Sequence, residues 1–533
     1  MKEDEYDFDS ILQELGTFGK YQRKNFVMLS VVIAFSAMSL SFVFTTRSSN
    51  YRCYIEECDP IDIKEAKYNV PWLHDVTPFQ HNHPIMCQRF ESSLPLTGYE
   101  FIPNCNGSYF SDEFTRKCDK FVFENGDATI ERDFNLTCSE NMWKLSFVGS
   151  MGDFSEILGL PLVGYISDRF GRRNVMIIGC AASALLGAGK SYLNSYEHFL
   201  IFEFLETMIG SGIFSAAYVI AIELVTPSHR VFCSTLLICM FSLGEAYLCL
   251  IAWMTESWRQ MLRIIYFPAI LFLLYYYHLN ESVRWLLVKG KTQKAKQILK
   301  KVAKTNGVTL NDRVIEKINI GADDVEDGSE ESIWKVFTSP ILCMRFIFCA
   351  FVWLTCTFVF YGFNMKSVTI SGNLYVNYMI SVLIEIPANF ICYWLLDGKR
   401  RKPVLCWSLL ITGVLCFLLL VLPMGDYEIV IFSMGKCCIT ISLSTMYVYA
   451  AEVFPTSVRH SLFACCSIFG RIGGMAAPQI PLMAAISPSF VYTLFMSMTL
   501  LSSMLILTFP ESVDTKLPDT VSQAAAIGHK TRE

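Results

Sequence analysis

The chain has 533 residues, of which 53% are hydrophobic, 17% charged and 14% aromatic, with a mean hydropathy of +0.37. Water-soluble domains carry about 25% charged residues, so a soluble enzyme of this length is excluded and a polytopic membrane protein remains. The net charge of −5, with no basic stripe interleaved with aromatics, excludes nucleic acid as a partner.

A hydrocarbon core of about 30 Å takes roughly 20 apolar residues as helix. Twelve such runs predict spans at 25–46, 143–166, 175–193, 199–222, 233–253, 260–279, 340–363, 373–396, 403–422, 428–450, 460–483 and 488–509. Residues 1–24 precede the first. Glu3, Asp4, Glu5, Asp7 and Asp9 lead that segment where a cleavable signal would be basic, so the first run is a span and not a signal peptide.

The loop 47–142 follows. It holds six cysteines, Cys53, Cys58, Cys87, Cys105, Cys118 and Cys138. An even number in an exterior loop reads as three disulfides, in any of fifteen pairings. Asn106-Gly-Ser and Asn135-Leu-Thr are glycosylation sequons. The other fourteen cysteines lie in or beside spans as small packing residues, and no Cys-x-x-Cys occurs with partner histidines, so no metal is expected.

Basic residues fix the orientation. Lys20, Arg23 and Lys24 precede span 1, Arg169, Arg172 and Arg173 follow span 2, and Lys399 to Lys402 follow span 8. The alternate loops 194–198, 423–427 and 484–487 hold no Lys or Arg. Both termini are therefore expected in the cytoplasm. The loop 280–339 falls on the same side as a charged helical segment. Its Gly290-Lys291-Thr292 is not a phosphate loop, because the position needing the first glycine is Trp285. A cytoplasmic tail, 510–533, closes the chain.

The two halves repeat. Asp168 and Asp397 stand 229 positions apart, as do Arg172 and Arg401. Tyr218–Arg230 matches Tyr447–Arg459 at the same offset, six of thirteen positions being identical, and Glu281-Ser-Val matches Glu511-Ser-Val one position further on. The expected fold is all-α: two parallel six-helix repeats, 25–279 and 340–509, around a central cavity.

Gly164-x-x-x-Asp168-Arg169-x-Gly171-Arg172-Arg173 resembles the signature loop of the major facilitator superfamily. More narrowly, the six-cysteine loop, Glu281-Ser-Val-Arg-Trp-Leu and Ala451-Glu-Val-Phe-Pro-Thr-Ser-Val-Arg459 resemble its organic cation, anion and zwitterion transporters. Ser381-Val-Leu-Ile-Glu385-Ile-Pro-Ala and Ser167 to Val175 resemble the carnitine/organic-cation branch most closely. The resemblance covers nearly the whole chain. It implies a plasma-membrane secondary carrier, not an enzyme, working by alternating access on a small organic zwitterion or cation, as a monomer without cofactor. A sodium or proton coupling ion is compatible with it. An organic anion exchanger or a non-transporting receptor on the same fold are the rivals.

Ionisable residues inside spans are functional candidates by default. Glu385 falls near the middle of span 8 and Arg471 near the middle of span 11. A guanidinium can hold a substrate carboxylate in a bidentate fashion and a carboxylate can attract an ammonium; the alternative is a mutually satisfied Glu385–Arg471 pair. The resemblance adds Tyr361 as a cavity aromatic and Lys436 as an anion contact or a partner to Glu452. It also adds a cytoplasmic gate of Asp168, Arg169, Arg172, Glu223, Arg230, Asp397, Arg401, Glu452 and Arg459, whose pairs would break as the cavity opens inward. Asp153 and Glu156, one helical turn apart, depart from the family pattern and are candidates for a coupling cation. Glu203 and Glu206 repeat that spacing and can serve likewise, or pair with Lys190 or Lys436.

Overall fold

In hydrocarbon every backbone polar group has to be satisfied within its own segment, and each apolar run folds accordingly as helix. The computed structural model describes residues 12–80, 83–92, 105, 110–124, 128–308, 334–370, 372–396, 400–422, 425, 427–454 and 458–511. Among these are twelve long helices. They are α1 (Lys20–Thr45), α2 (Met142–Phe170), α3 (Arg172–Lys190), α4 (Tyr196–Glu223), α5 (Pro227–Met254) and α6 (Trp258–His278), then α7 (Pro340–Ser367), α8 (Leu374–Leu396), α9 (Arg401–Val421), α10 (Glu428–Val453), α11 (Ser461–Ile486) and α12 (Pro488–Leu507). Ten meet the length and hydropathy of a membrane span. The two that do not are α2, which carries Lys144, Asp153, Glu156, Asp168 and Arg169, and α3, which opens on Arg172-Arg173-Asn174 and is rich in Gly and Ala.

Helices α1–α6 and α7–α12 form two halves. The halves meet along two seams, α5 against α8 and α2 against α11. Close approach rests on small residues. Gly244 of α5 lies against the Ala34 carbonyl of α1, and Gly473 of α11 against the Leu354 carbonyl of α7; a Cβ at either position would overlap main chain.

Breaks in the helices fall beside the interior. α8 is interrupted at Ile384, between Leu374–Leu383 and Glu385–Leu396. Pro387 explains this, since it lacks an N–H and its ring crowds the carbonyl four residues earlier. α11 tightens to a 3₁₀ turn over Ala477–Gln479 at Pro478.

The insertion between α1 and α2 is a small disulfide-bonded unit. Three two-stranded antiparallel ladders pair β1 (Tyr51–Cys53) with β6 (Phe121–Phe123), β2 (Phe79–Gln80) with β3 (His83–Pro84), and β4 (Gln88–Ser92) with β5 (Phe110–Lys117). All six cysteines are paired, Cys53–Cys118, Cys58–Cys105 and Cys87–Cys138. Inside it, the buried Arg52 guanidinium donates to both carboxylate oxygens of Asp59, at 2.7 and 2.6 Å. The remaining fourteen cysteines are unpaired, and none is exposed. Asn135 is exposed; Asn106 lies outside the described residues.

The insertion defines the disulfide end of the bundle. At the other, motif end, two helices of the 280–339 segment, Val283–Val288 and Thr292–Asn306, pack Trp285, Leu299 and Val302 on Leu12, Leu15 and Tyr21 of the N-terminal segment. Gly290, with φ +68°, forms the turn between them.

Candidate functional site

A cavity of about 870 Å³ lies between the halves. Its lining runs from Met38, Tyr361 and Tyr378 in the interior to Arg230, Val231 and Leu396 at the motif ends of α5 and α8. The disulfide end is closed by aromatic contacts across the α5/α8 seam. Tyr375 of α8 stacks on Trp253 of α5 at 6.2 Å and on Phe44 of α1 at 6.1 Å, and accepts a hydrogen bond from Arg47 at 2.8 Å. The structure is thus open towards the motif end and closed at the other.

Three groups of charge surround this space, each with two carboxylates and one base. In the first, Arg471 of α11 pairs with Glu156 of α2, across the seam between the halves. Asp153, one turn before Glu156, lines the cavity and sits against Gly474; its carboxylate accepts no hydrogen bond among the described residues. In the second, Lys190 of α3 is fully buried, with its Nζ 2.7 Å from Glu203 and 3.2 Å from Glu206 of α4. Ser183 donates to Glu206, which lines the cavity.

The third group straddles the other seam. The break before Glu385 starts the second segment of α8 and sets this carboxylate between Lys436 of α10, at 2.9 Å, and the Ser242 hydroxyl of α5, which donates at 2.7 Å. Lys436 also donates to the Phe360 carbonyl at 3.1 Å and lies 3.2 Å from the centre of the Phe360 ring. Glu245 of α5 completes the group. Its Oε2 accepts from Asn364 of α7 and Tyr378 of α8, each at 3.2 Å.

These contacts differ from the sequence expectation in three respects. Glu385 and Arg471 are not partners; each is held by a nearer group of opposite charge, on α10 and on α2. Arg471 is therefore not a vacant carboxylate fork. Lys436 pairs with Glu385 and not with Glu452. Tyr361 does line the cavity, packed edge-on against Phe360 with ring centres 5.2 Å apart. Glu245 is a residue that the sequence reading does not single out. Its position as a lone acid inside the apolar run 233–253 is the signal that identifies it.

At the motif end the gate residues pair inside each half. Arg172 donates to both oxygens of Glu223, at 2.8 and 3.0 Å, and Arg401 to Glu452 at 3.3 Å. The main-chain N–H of Arg173 donates to Glu281, and those of Arg401 and Lys402 donate to Glu511, so the internal repeat recurs as one hydrogen-bond pattern. Gly171, at φ +100°, makes the turn that permits it, and a Cβ there would collide with the Glu281 carboxylate. Asp168 is exposed, 4.0 Å from Arg172, and Arg169 reaches the Tyr165 hydroxyl at 3.5 Å and lies over the Phe170 ring. These pairs are intact while the cavity opens to the motif end. They clamp helices of one half to each other, and opening at the motif end does not require breaking them. Arg230 lies at the cavity mouth. Asp397 and the side chain of Arg459 lie outside the described residues.

The Major Facilitator Superfamily model matches residues 127–478. The "Organic cation transporter-like protein" of Drosophila melanogaster is 25% identical, covering 98% of this chain and 94% of its own. The "Organic cation/carnitine transporter 2" of Homo sapiens is 28% identical over 99% and 96%. The inward-open structure of the Escherichia coli xylose transporter XylE superposes with a TM-score of 0.59 at 21% identity, covering 74% of this chain and 93% of that one, a likeness of fold.

Proposed function

The chain belongs to the Major Facilitator Superfamily, and from that premise we propose that it is a secondary carrier of small organic cations, with ammonium or quaternary ammonium heads. The excess of carboxylates at the cavity carries this reading. Asp153, Glu156, Glu206 and Glu385 line it against Arg230 and Arg471, and Arg471 is already held by Glu156. In a low-dielectric interior an acidic lining attracts cations and repels anions. Tyr361, Phe360 and Tyr447 add ring faces that attract an ammonium. The names of the Drosophila and human relatives agree with such a substrate.

Substrate would enter between the halves, contact Asp153 and Glu385, and cross as the α2/α11 and α5/α8 seams exchange open and closed ends. No bond is made or broken. We place the disulfide end outside the cell at the plasma membrane, where oxidised cysteines and glycans on Asn106 and Asn135 belong, and both termini in the cytoplasm. The motif-end pairs act as braces of each half during the exchange.

A zwitterion of carnitine type is the second reading. It is favoured by Arg471, whose side chain is 34% exposed: a substrate carboxylate could replace Glu156 there. An uptake panel of choline, a monoamine, carnitine, β-alanine and an aromatic anion, each with and without sodium, tests both. Uptake of choline and the monoamine without the anion supports the cation carrier. Anion uptake that survives Glu385→Gln, or binding without accumulation, overturns it.

A further inference from the structure

We propose that Glu245 and Glu385, with Lys436, form a proton site whose single exchangeable proton leaves when an organic cation binds, which makes the protein a proton/organic-cation antiporter. The inference rests on the cation-carrier reading above and adds its coupling ion and the residues that hold it.

Two observations carry it. The first is a charge count in a closed space. Glu245 and Lys436 are wholly buried, and Glu385 is 2% exposed. Two carboxylates and one ammonium leave one net negative charge there if both acids are ionised. A net charge buried at membrane depth is strongly unfavourable, so the group is stable with one further positive charge. The second is an orphan atom. Glu245 Oε1 is buried and makes no hydrogen bond among the described residues, while its Oε2 already takes the Asn364 and Tyr378 donors. A carboxylate so placed has an oxygen available for protonation and no exposed surface for an ion with a coordination shell. The charged groups within electrostatic reach of Glu245 are Glu385 and Lys436, and Tyr378 is its titratable hydrogen-bond donor. α1 meets α5 beside it through main chain, at Gly244 and the Ala34 carbonyl.

The exchange follows from the same count. Glu385 is the member of the group that lines the cavity. A substrate cation against Glu385 supplies the missing positive charge. A proton retained on the pair would then leave the group with a net positive charge, so its O–H bond breaks and the proton passes to cavity water. Return of the proton expels the cation. One proton is exchanged for one singly charged cation.

The test uses the purified full-length protein in liposomes, with the membrane potential clamped by potassium and valinomycin. The probe is radiolabelled tetraethylammonium, whose charge is independent of pH, with a pH dye in the lumen. A gradient of one pH unit, acid inside, is expected to accumulate the probe up to about tenfold, and the lumen is expected to become alkaline as the probe enters. Glu245→Gln holds the pair as if permanently protonated, so counterflow at equal pH and gradient-driven uptake are both expected to be lost. A monodisperse size-exclusion profile reports that the variant is assembled, and an assembled variant that still accumulates the probe down the pH gradient overturns the proton site. Counterflow in the wild type with no effect of the pH gradient, or accumulation driven by a sodium gradient instead, overturns the proton site and leaves the carrier standing. Absence of counterflow in the wild type overturns the carrier reading itself.

Discussion

Arg471 shows how one pairing decides what a cavity recognises. A guanidinium at membrane depth is stable because Glu156 faces it, and that same contact takes up the Nη1 arm of the fork that a substrate carboxylate would need. Glu156→Gln removes the competing charge and leaves the guanidinium exposed to the cavity. The expected outcome is a several-fold rise in the ratio of carnitine to choline uptake, measured with labelled substrates at equal expression. An equal fall of both would show Arg471 to be structural only. Outside the membrane, Glu131 makes a different prediction. Its carboxylate is buried at the base of the disulfide unit, accepting from the Ser49 N–H at 2.8 Å, and burial pushes its pKa up to about 7. Between the ordinary carboxylate value and 7 the folded protein binds a proton that the unfolded chain has lost, so stability falls as pH rises through this window. The cost of ionisation is complete above about pH 7 and reaches a few kcal/mol. Thermal unfolding in detergent should therefore show wild type losing stability from pH 5 to pH 8, with Glu131→Gln nearly flat. A variant with the same slope as wild type would place the titrating group elsewhere.

The helix α8 shows how far an element can be read before its neighbours are known. An apolar run with an acid at its centre is visible in the chain, as is the proline two residues beyond. That the break falls at Ile384, and that it sets Glu385 between Ser242 and Lys436, depends on α5 and α10, whose registers no single-run pattern contains. The same distinction runs through the molecule. Apolar length located the helices to within several residues, because the bilayer demands it. Offset matches revealed two halves. The partners of Arg471 and Lys436 are not legible in the sequence, since any carboxylate at similar depth satisfies the same rule, and Glu245 is marked there only by its place as an acid inside an apolar run. Proline in a helix interior costs about 3 kcal/mol relative to alanine, and here it sets the break in α8 at Ile384. Pro387→Ala restores an N–H to the Leu383 carbonyl and straightens α8, carrying Glu385 away from Lys436. The expected result is a higher unfolding temperature in detergent together with a loss of cation uptake of about fivefold or more. Unchanged uptake would mean that the break serves no function.

At the scale of the whole molecule the question is whether the motif-end pairs join the halves or brace them. Arg172–Glu223 bridges α3 and α4, Arg401–Glu452 bridges α9 and α10, and the following main-chain N–H groups cap on Glu281 and Glu511 in the same manner. The four contacts just named lie within one half each, while the cavity between the halves opens at this end. Networks that share no partner contribute to stability independently. Arg172→Ala removes a charge-assisted, half-buried pair worth about 1–3 kcal/mol, and Arg401→Ala does the same in the second half. The double variant should lower the unfolding free energy by the sum of the single effects, to within about 0.5 kcal/mol. A latch between the halves behaves otherwise. Once one side of a latch is lost, the second substitution finds nothing left to break, and the double variant would resemble a single one. Thermal unfolding of the four proteins separates the cases. Additivity would mean that the repeated motif keeps each half rigid, so that the α2/α11 and α5/α8 seams, where two of the three charged groups lie, are the surfaces that move.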